Sequence, residues 1–92
     1  MRISDFKIGS PVIVTNEFEQ DSFRFKPGDT GTVVKITNNE AIRCVGIQWD
    51  FTNGCFHTCG GTSEKDKGFY IYNYNFNCLR IGGKKLGNIG VF

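Results

Sequence analysis

The sequence predicts an all-β protein, and its composition carries that prediction. The chain has twelve glycines but one alanine, Ala41, and two leucines, Leu79 and Leu86, so residues that favour helices are scarce. Nine phenylalanines, three tyrosines and many Ile, Val and Thr residues favour strands instead. A length of 92 residues fits one domain with a modest core. We therefore expect about five short antiparallel strands joined by long loops.

Five runs have the composition of strands: residues 11–15, 30–37, 41–49, 68–72 and 78–81. Apolar and polar residues alternate within them, which is typical of strands with one buried face. Thr32, Val34 and Ile36 share one predicted face. The residues predicted to be buried are Val12, Val14, Val34, Ile36, Val45, Ile47, Trp49, Phe69, Ile71 and Leu79.

The segments between these strands differ in length. Residues 38–40 are short enough for a hairpin turn, and the alternating asparagines of 73–77 suggest a turn or one turn of 3₁₀ helix. Residues 16–28 and 50–67 are long loops, and long loops in a small domain are often functional. We expect the domain to span residues 1–81. Residues 82–92 are expected to form a Gly- and Lys-containing C-terminal tail or an added edge segment.

The stretch PGDTGTVVKI (residues 27–36) resembles the turn and second strand of SH3-like small β-barrels of the KOW type. More narrowly, VGIQWD, then HTCGG and KGFYIY, resemble small SH3-like proteins encoded by bacteriophages. The resemblance covers roughly residues 6–81 and implies a single SH3-like barrel. It further implies a phage or mobile-element protein that binds and modulates or inhibits a bacterial host protein, including a defence system.

The sequence also indicates the cellular location of the chain and the classes of partner that its charge permits. No apolar run approaches 18 residues, and no apolar segment follows a charged start, so we expect neither a membrane span nor a signal peptide. The expected location is the cytoplasm, which is the bacterial host cytoplasm if the chain is phage-encoded. A net charge of +2 neither requires nor excludes nucleic acid.

Cys44, Cys55, Cys59 and Cys78 are expected to be free thiols in a reducing compartment. Cys55, His57 and Cys59 are the candidate zinc ligands, but a Cys-x-His-x-Cys spacing lacks the tight turn that usually brings two sulfurs to one metal. We therefore expect no metal and no cofactor. The same three residues offer a thiol beside a base, but neighbours two apart on a strand lie about 7 Å from each other, too far for an activated nucleophile. We expect no enzymatic activity.

Binding remains as the expected function. A protein partner is favoured because phenylalanines lie between charged residues in the 16–28 loop, as at many interfaces. The residues predicted to form the binding surface are Phe18, Phe23, Arg24, His57, Tyr72 and Tyr74. The alternative is an RNA- or DNA-binding accessory module, in which tyrosines or Trp49 stack on bases among scattered lysines and arginines.

Overall fold

The computed structural model describes residues 1–51, 59, 61, 63, 64 and 66–82. Within them the chain is all-β, as predicted, with two short 3₁₀ helices. The elements are η1 (Ile3–Asp5), β1 (Pro11–Val14), β2 (Phe18–Gln20), β3 (Phe23–Phe25), β4 (Thr30–Asn38), β5 (Arg43–Trp49), β6 (Gly68–Tyr72), η2 (Asn73–Cys78) and β7 (Leu79–Ile81).

Five strands form one antiparallel sheet in the order β6-β5-β4-β1-β7. Strand β7 therefore returns to lie beside β1, and η2 connects the two edges of the sheet. Among the described residues β6 and β7 are not paired with each other, so the sheet does not close into a barrel. The all-β class and the five-stranded antiparallel sheet follow the prediction, whereas the hydrogen-bonded ladder stays open.

The predicted loop 16–28 contains a second, two-stranded sheet. Strands β2 and β3 pair in register, with Phe18 opposite Phe25 and Gln20 opposite Phe23. The two residues of the turn between them, Asp21 and Ser22, both have positive φ angles of 52° and 69°. Two central residues with positive φ are the mark of a tight type I′ hairpin.

The core lies against the inner face of the sheet, and the hairpin covers part of it. Phe25 of β3 packs on Trp49 of β5 with ring centroids 4.8 Å apart, and both side chains are fully buried. At the other end, Phe6 packs on Phe76 of η2 at 4.8 Å. Eight of the ten residues predicted to be buried are so: Val12, Val14, Val45, Ile47, Trp49, Phe69, Ile71 and Leu79.

Strand β4 departs from the predicted alternation. Val33 is fully buried, whereas Val34 is only partly buried, so the prediction for Val34 is wrong. A β-bulge explains the difference: Val33 pairs with Ile47, Lys35 pairs with Gly46, and Val34 is the extra residue between them. Beyond the bulge Ile36 lies opposite Val45 and packs, partly buried, against the core on the predicted side.

Candidate functional site

The β2–β3 hairpin is fastened to the edge of β6 by the side chain of Gln20. Its Nε2 donates to the Tyr70 carbonyl at 2.7 Å, and its Oε1 accepts from the Tyr72 backbone N–H at 3.1 Å. Oε1 also accepts from Asn75 Nδ2 at 2.9 Å. Gln20 is 4% exposed, and these hydrogen bonds offset the cost of burying its amide. The bonds place Asp21, at the hairpin tip, beside the tyrosines of β6.

Strand β6 turns its phenylalanine and isoleucine inward and its tyrosines outward. Phe69 and Ile71 are buried, so Tyr70 and Tyr72 lie on the outer face, each half-buried. Tyr72 stacks on Tyr74 of η2, with ring centroids 5.8 Å apart and planes 20° from parallel. Tyr74 is 71% exposed, more than any other large hydrophobic side chain in the described part of the chain.

Between the hairpin tip and β6 lies a cavity of about 190 Å³ lined by Asp21, Phe69, Tyr70 and Tyr72. We call these four residues, together with Tyr74, the tyrosine surface. Burial raises the pKa of Tyr72, and the carboxylate of Asp21 raises it further. The Tyr72 phenol therefore remains a hydrogen-bond donor at neutral pH. The surface combines aromatic faces, the phenolic hydroxyls of three tyrosines and one carboxylate.

A second group of side chains lies on the outer face of β4 and β5, beside Tyr70. Lys35 of β4 holds its Nζ 6.0 Å from the centre of the Tyr70 ring. Gly46 of β5 lies between them and leaves room for Cys59, whose Sγ is 3.0 Å from where a Cβ on Gly46 would be. Cys59 is fully buried despite its place in the long second loop.

The thiols on this face are poor nucleophiles. Burial raises the pKa of Cys59, and hydrogen bonds to the Ile47 and Phe69 backbones offset only part of that effect. Burial likewise raises the pKa of Cys44. A thiol whose pKa is raised carries little thiolate at neutral pH, and the thiolate is the reactive form.

The structure does not bring all the residues predicted to form the binding surface together, and the two phenylalanines pack with other aromatic rings. Phe18 is buried and stacks on Phe25 at 4.8 Å, so its ring belongs to the core. Phe23 is half-buried among Phe25, Phe51 and Phe69.

Arg24 is exposed on the face of the hairpin opposite Gln20, where it pairs with Glu17 at 2.9 Å and Glu19 at 3.8 Å. Tyr72 and Tyr74 are in contact with each other through their stacked rings. His57 lies outside the described residues.

Two contributors to the surface were not singled out from the sequence. Asp21 and Gln20 are distant in the chain from β6, and only the docking of the hairpin brings them there. The alternation of Phe18, Gln20, Phe23 and Phe25 along one hairpin face was the available signal, since Gln20 is the one polar residue on that face.

Metal binding finds no support in the part of the chain that the structure describes. No group of three or more His, Cys, Asp or Glu side chains there could hold a metal ion. The candidate ligands Cys55 and His57 lie outside the described residues, and Cys59 is buried against Gly46.

Among the described residues there is no helix of the length and hydropathy required to span a bilayer. Comparisons of the chain with protein-family models, with curated proteins and with solved structures found no match.

Proposed function

We propose that this chain is a non-enzymatic, SH3-like binding module that binds a protein partner through the tyrosine surface. The observation that carries the proposal is the stacked pair of half-buried Tyr72 and exposed Tyr74, which lies beside a cavity with a carboxylate in its lining. Tyrosines bury a large area at a low cost in side-chain entropy, and they are enriched among residues that dominate binding energy.

The order of elements supports the SH3-like part of the proposal. The chain begins with a first strand, a long loop and a second strand, which a tight turn joins to a third strand. A second long loop then leads to a fourth strand, and a short 3₁₀ helix connects that strand to the last one. This is the order on which the resemblance rests. The β2–β3 hairpin inside the first loop then brings Asp21 to the tyrosines.

The chemistry of the cavity favours a lysine or arginine side chain of the partner. Asp21 supplies a negative charge, and the faces of Tyr72 and Tyr74 attract cations by about 0.5–2 kcal/mol each. Lys35 already occupies a position over the Tyr70 ring. The resemblance to small phage-encoded proteins makes a bacterial host protein, such as a component of a defence system, the proposed partner, and modulation or inhibition the proposed effect.

The alternative is a nucleic-acid-binding module, since three neighbouring tyrosines could stack on unpaired bases. The carboxylate of Asp21 disfavours it because it would lie close to the phosphates that accompany those bases. The two functions differ in their salt dependence, because phosphate contacts give a steep fall of affinity with salt concentration.

The test is capture of partners from bacterial lysate, with and without nuclease, by the native chain and by Tyr74→Ala, Asp21→Asn and Ile8→Ala. Ile8 is the matched control because it is 64% exposed and does not belong to the tyrosine surface. We expect the native chain to capture a protein whether or not nuclease is present, and Ile8→Ala to capture it equally well. Tyr74→Ala should weaken the binding of that protein about tenfold or more. Thermal unfolding of each variant checks that folding is unchanged.

Two results would contradict the proposal. Equal capture by the native chain and Tyr74→Ala would exclude the tyrosine surface. Loss of capture on nuclease treatment, with a steep salt dependence of binding, would favour the nucleic-acid alternative.

A further inference from the structure

A second cavity lies where the N-terminal segment meets η2 and the start of β5. It has a volume of about 310 Å³ and is lined by Met1, Arg2, Ile3, Arg43, Asn73 and Phe76. This volume is at the lower end of the range for small-molecule sites. The cavity shares no lining residue with the cavity of the tyrosine surface, so it constitutes a separate site.

Hydrogen bonds hold the wall of this cavity in place. The Met1 amino group donates to Asn77 Oδ1 at 3.0 Å, which ties the N-terminal segment to η2. The Asp5 carboxylate accepts from the Arg2 backbone N–H at 2.9 Å and closes the turn of η1. Asp5 is therefore engaged with the backbone of Arg2, and it does not line the cavity.

The charge of the cavity is one-sided. Arg2 and Arg43 come from distant parts of the chain, and both line it, whereas no acidic side chain does. Within the described residues neither guanidinium has an ion pair, although Arg24 pairs with two glutamates and Lys67 with one. Two like charges beside one cavity repel each other and create a site whose occupation by an anion is favourable.

We propose that this cavity binds a small organic phosphomonoester. Two guanidiniums match the two negative charges that such a group carries near neutral pH, and each can donate paired hydrogen bonds to its oxygens. The Asn73 amide adds a polar group, and Ile3 and Phe76 give an apolar floor for the organic part. Inorganic phosphate lacks the apolar part that would contact this floor, and a monocarboxylate carries only one negative charge.

The test is titration of the ¹⁵N-labelled chain with phenyl phosphate, inorganic phosphate and benzoate at fixed ionic strength, followed by NMR at the backbone amides of Asn73 and Phe76. We expect saturable shifts with phenyl phosphate at a lower concentration than with the other two. Arg43→Gln and Arg2→Gln should each weaken binding about tenfold or more, and Arg43→Lys should weaken it less. Arg80→Gln, an exposed arginine on β7 that does not line the cavity, should bind within twofold of the native chain.

The pH dependence gives a second readout. The second pKa of a phosphomonoester is near 6, so binding should weaken several-fold at pH 5 while both arginines remain charged. The site would be overturned if phenyl phosphate caused equal NMR shifts in the native chain and in Arg43→Gln. It would also be overturned if Arg80→Gln changed those shifts. Tighter binding of benzoate would overturn the preference for a dianion. In a parallel titration with a phosphotyrosine peptide, binding tighter than that of phenyl phosphate would overturn a free small molecule as the ligand.

Discussion

The side-chain amide of Gln20 takes the place of a neighbouring strand at the edge of β6: it donates to the Tyr70 carbonyl at 2.7 Å and accepts from the Tyr72 N–H at 3.1 Å. An exposed strand edge offers unpaired backbone groups to other chains, and natural sheets usually cover or interrupt such edges. One glutamine here satisfies two backbone groups of β6 and also fixes the hairpin. The stability of β6 and the position of Asp21 therefore depend on the same residue.

Replacing Gln20 by methionine should destabilise the fold by about 2–3 kcal/mol, because it keeps the side-chain length but removes the hydrogen bonds that Gln20 makes with the Tyr70 carbonyl and the Tyr72 N–H. Urea unfolding measures the loss, and hydrogen exchange at the Tyr72 amide should become faster. Asn75→Ala is the control, since it removes a single hydrogen bond to Gln20 and should cost about 1 kcal/mol or less. Equal losses for the two variants would contradict the role given to Gln20.

The β2–β3 hairpin is the part of the fold that could not be predicted from the sequence. The strands with regular alternation, such as Val45-Ile47-Trp49, could be predicted because each residue follows the two-residue period. Residues 16–28 could not, because their charges resemble a solvated loop and their turn is Asp21-Ser22 rather than the usual Asn-Gly or Asp-Gly. The docking of Gln20 depends on contacts with residues 50 and 52 positions away in the chain.

The bulge in β4 predicts different costs for two neighbouring valines. Val33→Ala should destabilise by about 2–3 kcal/mol because it empties fully buried space against Ile47. Val34→Ala should cost under about 1 kcal/mol because Val34 is the extra, partly buried residue of the bulge. Denaturant unfolding of both variants measures the order, and a larger loss for Val34→Ala would place the bulge elsewhere.

The candidate site was predictable in part. Tyr72 and Tyr74 alternate with polar residues, and their exposure on one surface follows from a strand that leads into a 3₁₀ turn. The fate of Phe18 did not follow from the sequence, because whether a phenylalanine in a polar segment is buried depends on how the segment folds back. The carboxylate of Asp21 joins the tyrosines only through that same folding back.

Two glycines of adjacent strands should respond differently to alanine. A Cβ on Gly31 would lie 2.7 Å from Ile47 Cγ2 and 2.8 Å from the Gln48 carbonyl oxygen. Because the backbone of Gln48 would have to move to make room, Gly31→Ala should destabilise the fold by about 3 kcal/mol. A Cβ on Gly46 would meet the Cys59 side chain at 3.0 and 3.1 Å, and Gly46→Ala should cost about 1 kcal/mol.

The cost at Gly46 should depend on Cys59, which is the control for this comparison. Cys59 has a φ angle of 51°, a conformation that glycine adopts easily, so Cys59→Gly removes the two nearest contacts without straining the backbone and leaves Lys35 Cβ at 3.2 Å. In a double-mutant cycle followed by urea unfolding, Gly46→Ala should cost less in the Cys59→Gly background. Purely additive losses would show that the two residues do not press on each other.

The buried thiols make stability depend on pH in the alkaline range. Burial raises the pKa of Cys59 above its ordinary value of 9.0 in the folded chain, and the thiol returns to that value on unfolding. The unfolded chain therefore loses its thiol proton first, so the stabilisation is complete below pH 9 and is lost as the pH rises through the folded pKa. The free energy of unfolding should fall by up to about 1.4 kcal/mol per pH unit for each such thiol.

The measurement is urea unfolding under reducing conditions at intervals from pH 7.5 to 10.5, for the native chain, Cys59→Ala and Cys44→Ala/Cys59→Ala. Because burial also raises the pKa of Cys44, the slope above pH 9 should decrease from the native chain to the single and then to the double variant. The comparison rests on slopes, so a constant loss of stability from the smaller side chain does not affect it. Three parallel curves above pH 9 would mean that both thiols ionise as readily in the folded chain as in the unfolded one, which would contradict the burial of the Cys44 and Cys59 side chains.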